Sequence, residues 1–168
     1  MALGNKVALI PTMSIDLGGG DQVMRIACHQ ATCYWLYEEA KGQPPTGAVY
    51  GNGILGSQST MQAIKALGLP VRNAMDLNQK PAGTVLLFVD MTGEPQHSCV
   101  IATNGDLGGY NQPLWLFGGQ PNMFSMHPRS AIAWDPRTVG GVRPYQKPVH
   151  YLYAVDEAAA VTYAMINF

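Results

Sequence analysis

The stretch GTVLLFVDMTGEPQHSCVIATNGD, residues 83–106, contains two apolar runs separated by a polar segment with a glycine and a proline. The runs 83–91 and 97–103 are short and continuous and include β-branched residues, which is typical of buried strands. The sequence therefore predicts two neighbouring strands, with His97 at the start of the second.

The dipeptide Asn104-Gly105 directly follows the second predicted strand. Asn-Gly favours a two-residue type I′ turn, so we expect the chain to fold back as a hairpin. In that register His97 lies opposite Gln112, with Asn111 as its immediate neighbour. A bulge at the glycines 108–109 would shift the register by one residue.

Upstream of this hairpin the pattern is helical. Residues 28–40 read as one helix that ends at Lys41-Gly42, with a basic residue in the last turn and a glycine at the stop. Residues 59–62, Ser-Thr-Met-Gln, have a capping-box pattern and predict the start of a second helix. The short run 7–11 predicts a first strand.

Downstream, apolar runs alternate with Gly/Pro/Asn-rich breaks. The runs 113–117, 130–134 and 149–155 predict further strands, and 156–166 predicts a closing helix capped by Asp156. Helices first and strands afterwards indicate a single α+β domain over residues 1–168, with a mostly antiparallel sheet.

The composition argues against several classes of function. The chain has 168 residues, 47% of them hydrophobic, which is typical of a globular domain. Ten Lys+Arg face eleven Asp+Glu, so no charge excess favours nucleic acid as a partner. No segment reaches the roughly 18–20 apolar residues of a membrane span. The three cysteines are too few for a disulfide scaffold and lack zinc-ligand spacing, so we expect neither a metal nor another cofactor.

A cysteine at a helix start, together with a distant histidine, is the pattern of a thiol nucleophile and its base. Helix N–H groups and an imidazole lower the pKa of such a thiol. Cys28 and Cys33 lie about 140° apart around the predicted helix, so they cannot both face one site. We favour Cys28 as the nucleophile and Cys33 as a packed residue, whereas a helix capped by Thr32 would reverse the roles.

The residues around Cys28 resemble the papain-like cysteine peptidases and amidases, especially the NlpC-type amidases and YopT-like bacterial effector proteases. In those families a cysteine opens a helix, a small or hydroxyl residue follows at Thr32, and an aromatic-aliphatic pair follows at Trp35-Leu36. Gln22 stands six residues before Cys28, where many such enzymes place the oxyanion-hole glutamine. The resemblance implies a papain-like fold, with the Cys helix packed on an antiparallel sheet that carries the His.

The hairpin resembles the second half of the same families, in which a polar residue orients the catalytic imidazole. We favour a Cys28-His97-Asn111 triad, with Gln112 and then Asp106 as alternatives for the third position. The Asp-Pro segment at Asp135 is a further alternative. No aspartate occupies the place in PLWLFGG where the YopT-like pattern ends its triad.

The function implied is a cysteine hydrolase of an amide bond. Three substrates stay open: a peptide bond in a protein, a glutamine side chain, or a peptidoglycan cross-link. The resemblance further implies an effector or toxin, made in the cytoplasm and delivered by a signal-less secretion system, with a host target or an immunity protein as partner. The competing interpretation is a non-enzymatic binding or structural domain in which all thiols are buried.

Overall fold

The computed structural model describes residues 2–16, 21–23, 26–112, 123–142 and 148–168, with the backbone alone at 15–16 and 21–23. The helices are α1 Leu3–Lys6, α2 Cys28–Lys41, α3 Gly47–Gly51, α4 Gln58–Lys65, α5 Ala74–Asn78 and α6 Glu157–Asn167. The strands are β1 Ser14–Asp16, β2 Asp21–Val23, β3 Leu69–Pro70, β4 Val85–Val89, β5 Pro95–Ile101, β6 Leu107–Tyr110, β7 Phe124–His127, β8 Gly141–Val142 and β9 His150–Val155.

In these residues the main sheet has the strand order β3-β9-β4-β5-β6-β7, and β8 pairs with β9 beside β3. Every recorded pairing is antiparallel, while β1 and β2 form a separate hairpin. The architecture is therefore a mixed α+β domain with a mostly antiparallel open sheet, as the sequence predicted. Across the described segments, no helix combines the length and apolarity that crossing a bilayer requires.

Strand β4 lies at the centre of the hydrophobic core. All five of its residues are buried, because β9 and β5 flank the strand and side chains pack against both of its faces. Val85, Leu87 and Val89 face the cluster that includes α2 and α6 residues, whereas Leu86 and Phe88 face the opposite cluster. This alternation follows from the two-residue period of a strand, and it defines an α2 face and a far face of the sheet.

Helix α2 begins at Cys28 and ends before Gly42, which adopts a left-handed conformation with φ of 74°. At its start the Gln30 side chain accepts the backbone N–H of Ala27 at 2.9 Å. The predicted helix is thereby confirmed, and the rival register with Thr32 as the cap is wrong, because Thr32 lies inside the helix.

Other boundaries differ from the sequence interpretation. Helix α4 is capped by Ser57, whose side chain accepts the Thr60 N–H, rather than by Ser59. Residues 7–11 form no strand. The run 130–134 is likewise not a strand, because it contains part of a single 3-10 turn and one isolated bridge at Trp134. The predicted strand 113–117 lies outside the described residues.

The hairpin between β5 and β6 is present, but its turn is one residue longer than predicted. Ala102 N–H bonds to the Asp106 carbonyl, and Gly105 N–H bonds to the Ala102 carbonyl, leaving a three-residue connection. Gly105 has a φ of 89°, which is the left-handed conformation that such a connection requires. The register therefore shifts by one residue, and Val100 pairs with Gly108.

Candidate active site

Cys28 is the first residue of α2 and is partly exposed. Burial raises the pKa of its thiol, and the backbone N–H groups of Ser98, His29 and Cys28 itself offset this only in part. The thiol therefore sits against the backbone of β5 and is neutral at pH 7. The sequence argument predicted a lowered pKa because it could account for the helix terminus but not for desolvation by the sheet.

His97 lies in β5, opposite Phe88 of β4. Its ring is buried, and its centroid is 5.7 Å from that of Phe88. Its Nε2 atom is 2.9 Å from Oε1 of Gln112. Burial lowers the pKa of His97 to about 4, against the opposing effect of the Gln112 hydrogen bond, so the imidazole is neutral at pH 7.

Gln112 determines which nitrogen of His97 carries the proton. Its Nε2 donates to the carbonyls of Leu107, at 2.9 Å, and Ser125, at 3.2 Å. Both amide hydrogens are thereby used, so Oε1 acts as the acceptor toward His97. The neutral imidazole consequently holds its proton on Nε2 and leaves Nδ1 basic. This is the tautomer that a general base needs when Nδ1 faces the reacting group.

The third residue of the predicted triad needs revision. The recorded hydrogen bond of His97 Nε2 goes to Gln112, which we ranked second, rather than to Asn111, which we preferred. Asn111 has a φ of 55°, and its N–H bonds to the Met123 carbonyl. This left-handed residue ends β6 and redirects the chain, so the side chain of the next residue reaches the imidazole.

The two aspartate alternatives lie elsewhere. Asp106 belongs to the turn at the opposite end of β5, where its N–H bonds to Asn104. Asp135 adjoins the bridge of Trp134 with β8, so β8, β9 and β4 lie between it and β5. Its buried carboxylate pairs with Arg137 at 3.0 Å. Neither aspartate is therefore placed to orient the imidazole of His97.

Cys33 has the character of a packed residue. It is fully buried, its sulfur lies 3.8 Å from that of Met61, and burial raises its pKa to about 12. Gln22 lies in β2 with its backbone paired to Ile15. Its side chain is outside the described part of the structure, so its oxyanion role stays a prediction.

A buried polar network joins the first turn of α2 to β5. His29 Nδ1 is 2.8 Å from Ser98 Oγ, and its Nε2 is 3.1 Å from the Pro95 carbonyl. Thr32 Oγ1 is 2.9 Å from the same serine oxygen. Sequence reasoning gave His29 no role in the site. The hydrogen bonds of His29 to β5 hold the first turn of α2 against the strand. In the sequence, the only signal for this residue was its position next to Cys28.

The same network defines the relation between thiol and imidazole. Ser98 faces α2, so alternation along the strand turns His97 toward the far face, where it contacts Phe88. The Cys28 thiol meets the N–H of Ser98, one residue along from His97. The thiol and the imidazole therefore approach neighbouring residues of β5 from opposite faces of the sheet.

Comparisons with models of known protein families, with curated proteins and with solved structures gave no match to this chain. The chain is therefore described by its own fold and site. It is an α+β domain in which the first residue of a helix, a cysteine, packs against a strand, and that strand carries a buried histidine hydrogen-bonded to a glutamine side chain.

Proposed function

We propose that this protein is a cysteine-dependent hydrolase of an amide bond with a papain-like site. Cys28 is the nucleophile, His97 the general base and Gln112 the residue that orients the imidazole. The supporting observation is the hydrogen bond from His97 Nε2 to Gln112, because the doubly anchored amide leaves Nδ1 as the basic nitrogen. A Cys-His pair with an orienting amide is a recurring arrangement for acyl transfer.

In this proposal both reacting groups start neutral, in keeping with their pKa directions. For the reaction, His97 Nδ1 must come within hydrogen-bond reach of the thiol, and it then takes the thiol proton as the Cys28 sulfur bonds to the amide carbonyl carbon. The Cys28 N–H and, as predicted from the sequence, Gln22 stabilise the oxyanion. The C–N bond then breaks, the leaving amine receives the proton from His97, and water hydrolyses the thioester to regenerate the thiol.

Protein peptide bonds, glutamine side chains and peptidoglycan cross-links all fit these steps, because the reacting group is the same amide. The resemblance to effector proteases favours a secreted effector or toxin with a host target or an immunity partner. These assignments rest on the resemblance alone.

The competing function is a non-enzymatic domain with structural thiols. One observation favours it: burial raises the pKa of Cys28, Cys33 and Cys99 alike. A thiolate at rest would have favoured the enzyme directly, and the raised pKa values withhold that support.

The test is hydrolysis by purified protein of three substrates: fluorogenic peptidyl amides, a glutamine-rich protein assayed for ammonia release, and peptidoglycan. The parent is compared with Cys28→Ala and with the matched variant Cys33→Ala. Turnover of one substrate that disappears with Cys28→Ala and survives Cys33→Ala supports the proposal. Equal background rates for parent and Cys28→Ala on all three substrates support the non-enzymatic domain.

A further inference from the structure

A concave site lies at the β8 side of the sheet, away from β5. It is a cavity of about 460 Å³ between the segment at Arg72-Asn73 and the turn 134–139. Gly140 N–H bonds to the Arg72 carbonyl at 3.0 Å and holds the two walls together. Gly140 has a φ of 73°, and a Cβ there would lie 2.6 Å from the Val71 carbonyl oxygen, so only glycine suits this approach.

Arg137 lies at the rim with its guanidinium fixed in place. Its Nε and Nη2 donate to the two carboxylate oxygens of Asp135 at 3.1 and 3.0 Å. The Asp135 side chain is 1% exposed and that of Arg137 is 62% exposed. Within the described residues these bonds use two of the five guanidinium N–H donors, which leaves three for another group, and the fork is held without a further loss of side-chain entropy.

Arg137 is mostly exposed, so solvent screens its attraction to Asp135 and the pair adds little to stability. Asp135 also accepts the Arg137 backbone N–H at 2.9 Å, so it shapes the turn as well. The combined effect is to aim a rigid guanidinium at the cavity.

The rest of the lining complements an anion that carries an apolar group. Arg72, 73% exposed, supplies a second guanidinium, whose Nε forms a surface ion pair with Asp76 at 3.6 Å. The half-buried Trp134 supplies an aromatic wall. Two guanidinium groups and one carboxylate among the lining residues leave a net positive charge.

We propose that this cavity binds a carboxylate attached to an aromatic or apolar group, with the carboxylate at Arg137 and Arg72 and the apolar part against Trp134. A planar carboxylate matches the guanidinium fork in two parallel hydrogen bonds. The proposal is independent of the hydrolase site, which lies on other strands.

The test is a titration of the ¹⁵N-labelled protein with benzoate, followed by NMR of the Arg137 Nε–H and Trp134 indole N–H signals. Benzamide is the neutral control of the same shape. We expect saturable shifts at millimolar benzoate and at least tenfold weaker binding of benzamide. Equal shifts with both compounds would overturn the proposal, and phenyl phosphate binding tenfold more tightly than benzoate would overturn the choice of carboxylate.

Variants separate a shaped site from general attraction of anions. Arg137→Gln should weaken benzoate binding at least tenfold, and Arg137→Lys should not restore it because lysine lacks the fork. The charge-matched variant Lys41→Gln, at the end of α2, should bind like the parent. Asp135→Asn removes a negative charge, which by itself should strengthen benzoate binding, but it also releases the Arg137 guanidinium. Weaker benzoate binding by the folded variant therefore supports the role of Asp135 in positioning Arg137. Parent-like affinity of Arg137→Gln would contradict the proposal.

Discussion

Cys28 and Cys33 lie on the same helix, five residues apart, yet they differ in exposure and in the groups they contact. Cys28 opens α2, is partly exposed and meets backbone N–H groups of β5. Cys33 is fully buried against Met61. Residue type therefore says little about a thiol's role, because its position on the helix and its neighbours across the fold decide which contacts it makes.

The sharpest test of this difference is the pair of alanine variants. If Cys28 is the nucleophile, Cys28→Ala should lower kcat/KM by about 10⁴-fold or more, because a triad acts as a unit. Cys33→Ala should keep activity near the parent value. The measurement is kcat/KM on the substrate found active, with circular dichroism as the control for folding. Loss of activity in the Cys33 variant alone would instead make Cys33 the nucleophile.

The next largest effect should come from the orienting residue. Gln112→Ala removes the acceptor of His97 Nε2, and we expect kcat to fall by about 10- to 1000-fold. Asn111→Gly is the matched control, because glycine also adopts a positive φ, and it should change kcat less than threefold or so. If the Asn111 variant loses more activity than the Gln112 variant, the third role belongs to Asn111.

Alkylation rates against pH should separate the two thiols without any substrate. Since the pKa of Cys28 is raised above its usual 9.0, its iodoacetamide rate should climb about tenfold per pH unit from pH 6 to 8. Cys33 and Cys99 should stay unlabelled while the protein is folded, so Cys28→Ala should take up no label. A fast plateau near pH 6 that vanishes in His97→Ala would instead reveal a thiolate–imidazolium pair.

The smallest effect concerns packing. Cys33→Ala should destabilise the fold by about 1–3 kcal/mol, because it leaves a cavity beside Met61. Cys28→Ala should cost less, on the order of 0.5 kcal/mol, because its thiol is at the partly exposed start of the helix. Urea unfolding at pH 7 measures both. Equal losses of unfolding free energy would mean that the two sites are packed alike.

The sequence predicted much of the fold correctly where the signal is local. Helix α2 was recognised from its apolar pattern and from Gly42, and β4, β5 and β9 from their continuous apolar runs. Strand β7 was missed, because it is short and half-buried along its whole length. For the candidate site, the sequence singled out Cys28 and His97 but gave no role to His29.

The sequence by itself determined the features set by neighbours along the chain: the start of α2 at Cys28, its glycine stop, and the strand that carries His97. Only the tertiary structure decided between Asn111 and Gln112, because a three-residue turn and one left-handed residue together set the register. It also decided the protonation of the site. The desolvation that raises the pKa of Cys28 and lowers that of His97 comes from strands and helices distant in sequence, and no local pattern records how much water they exclude.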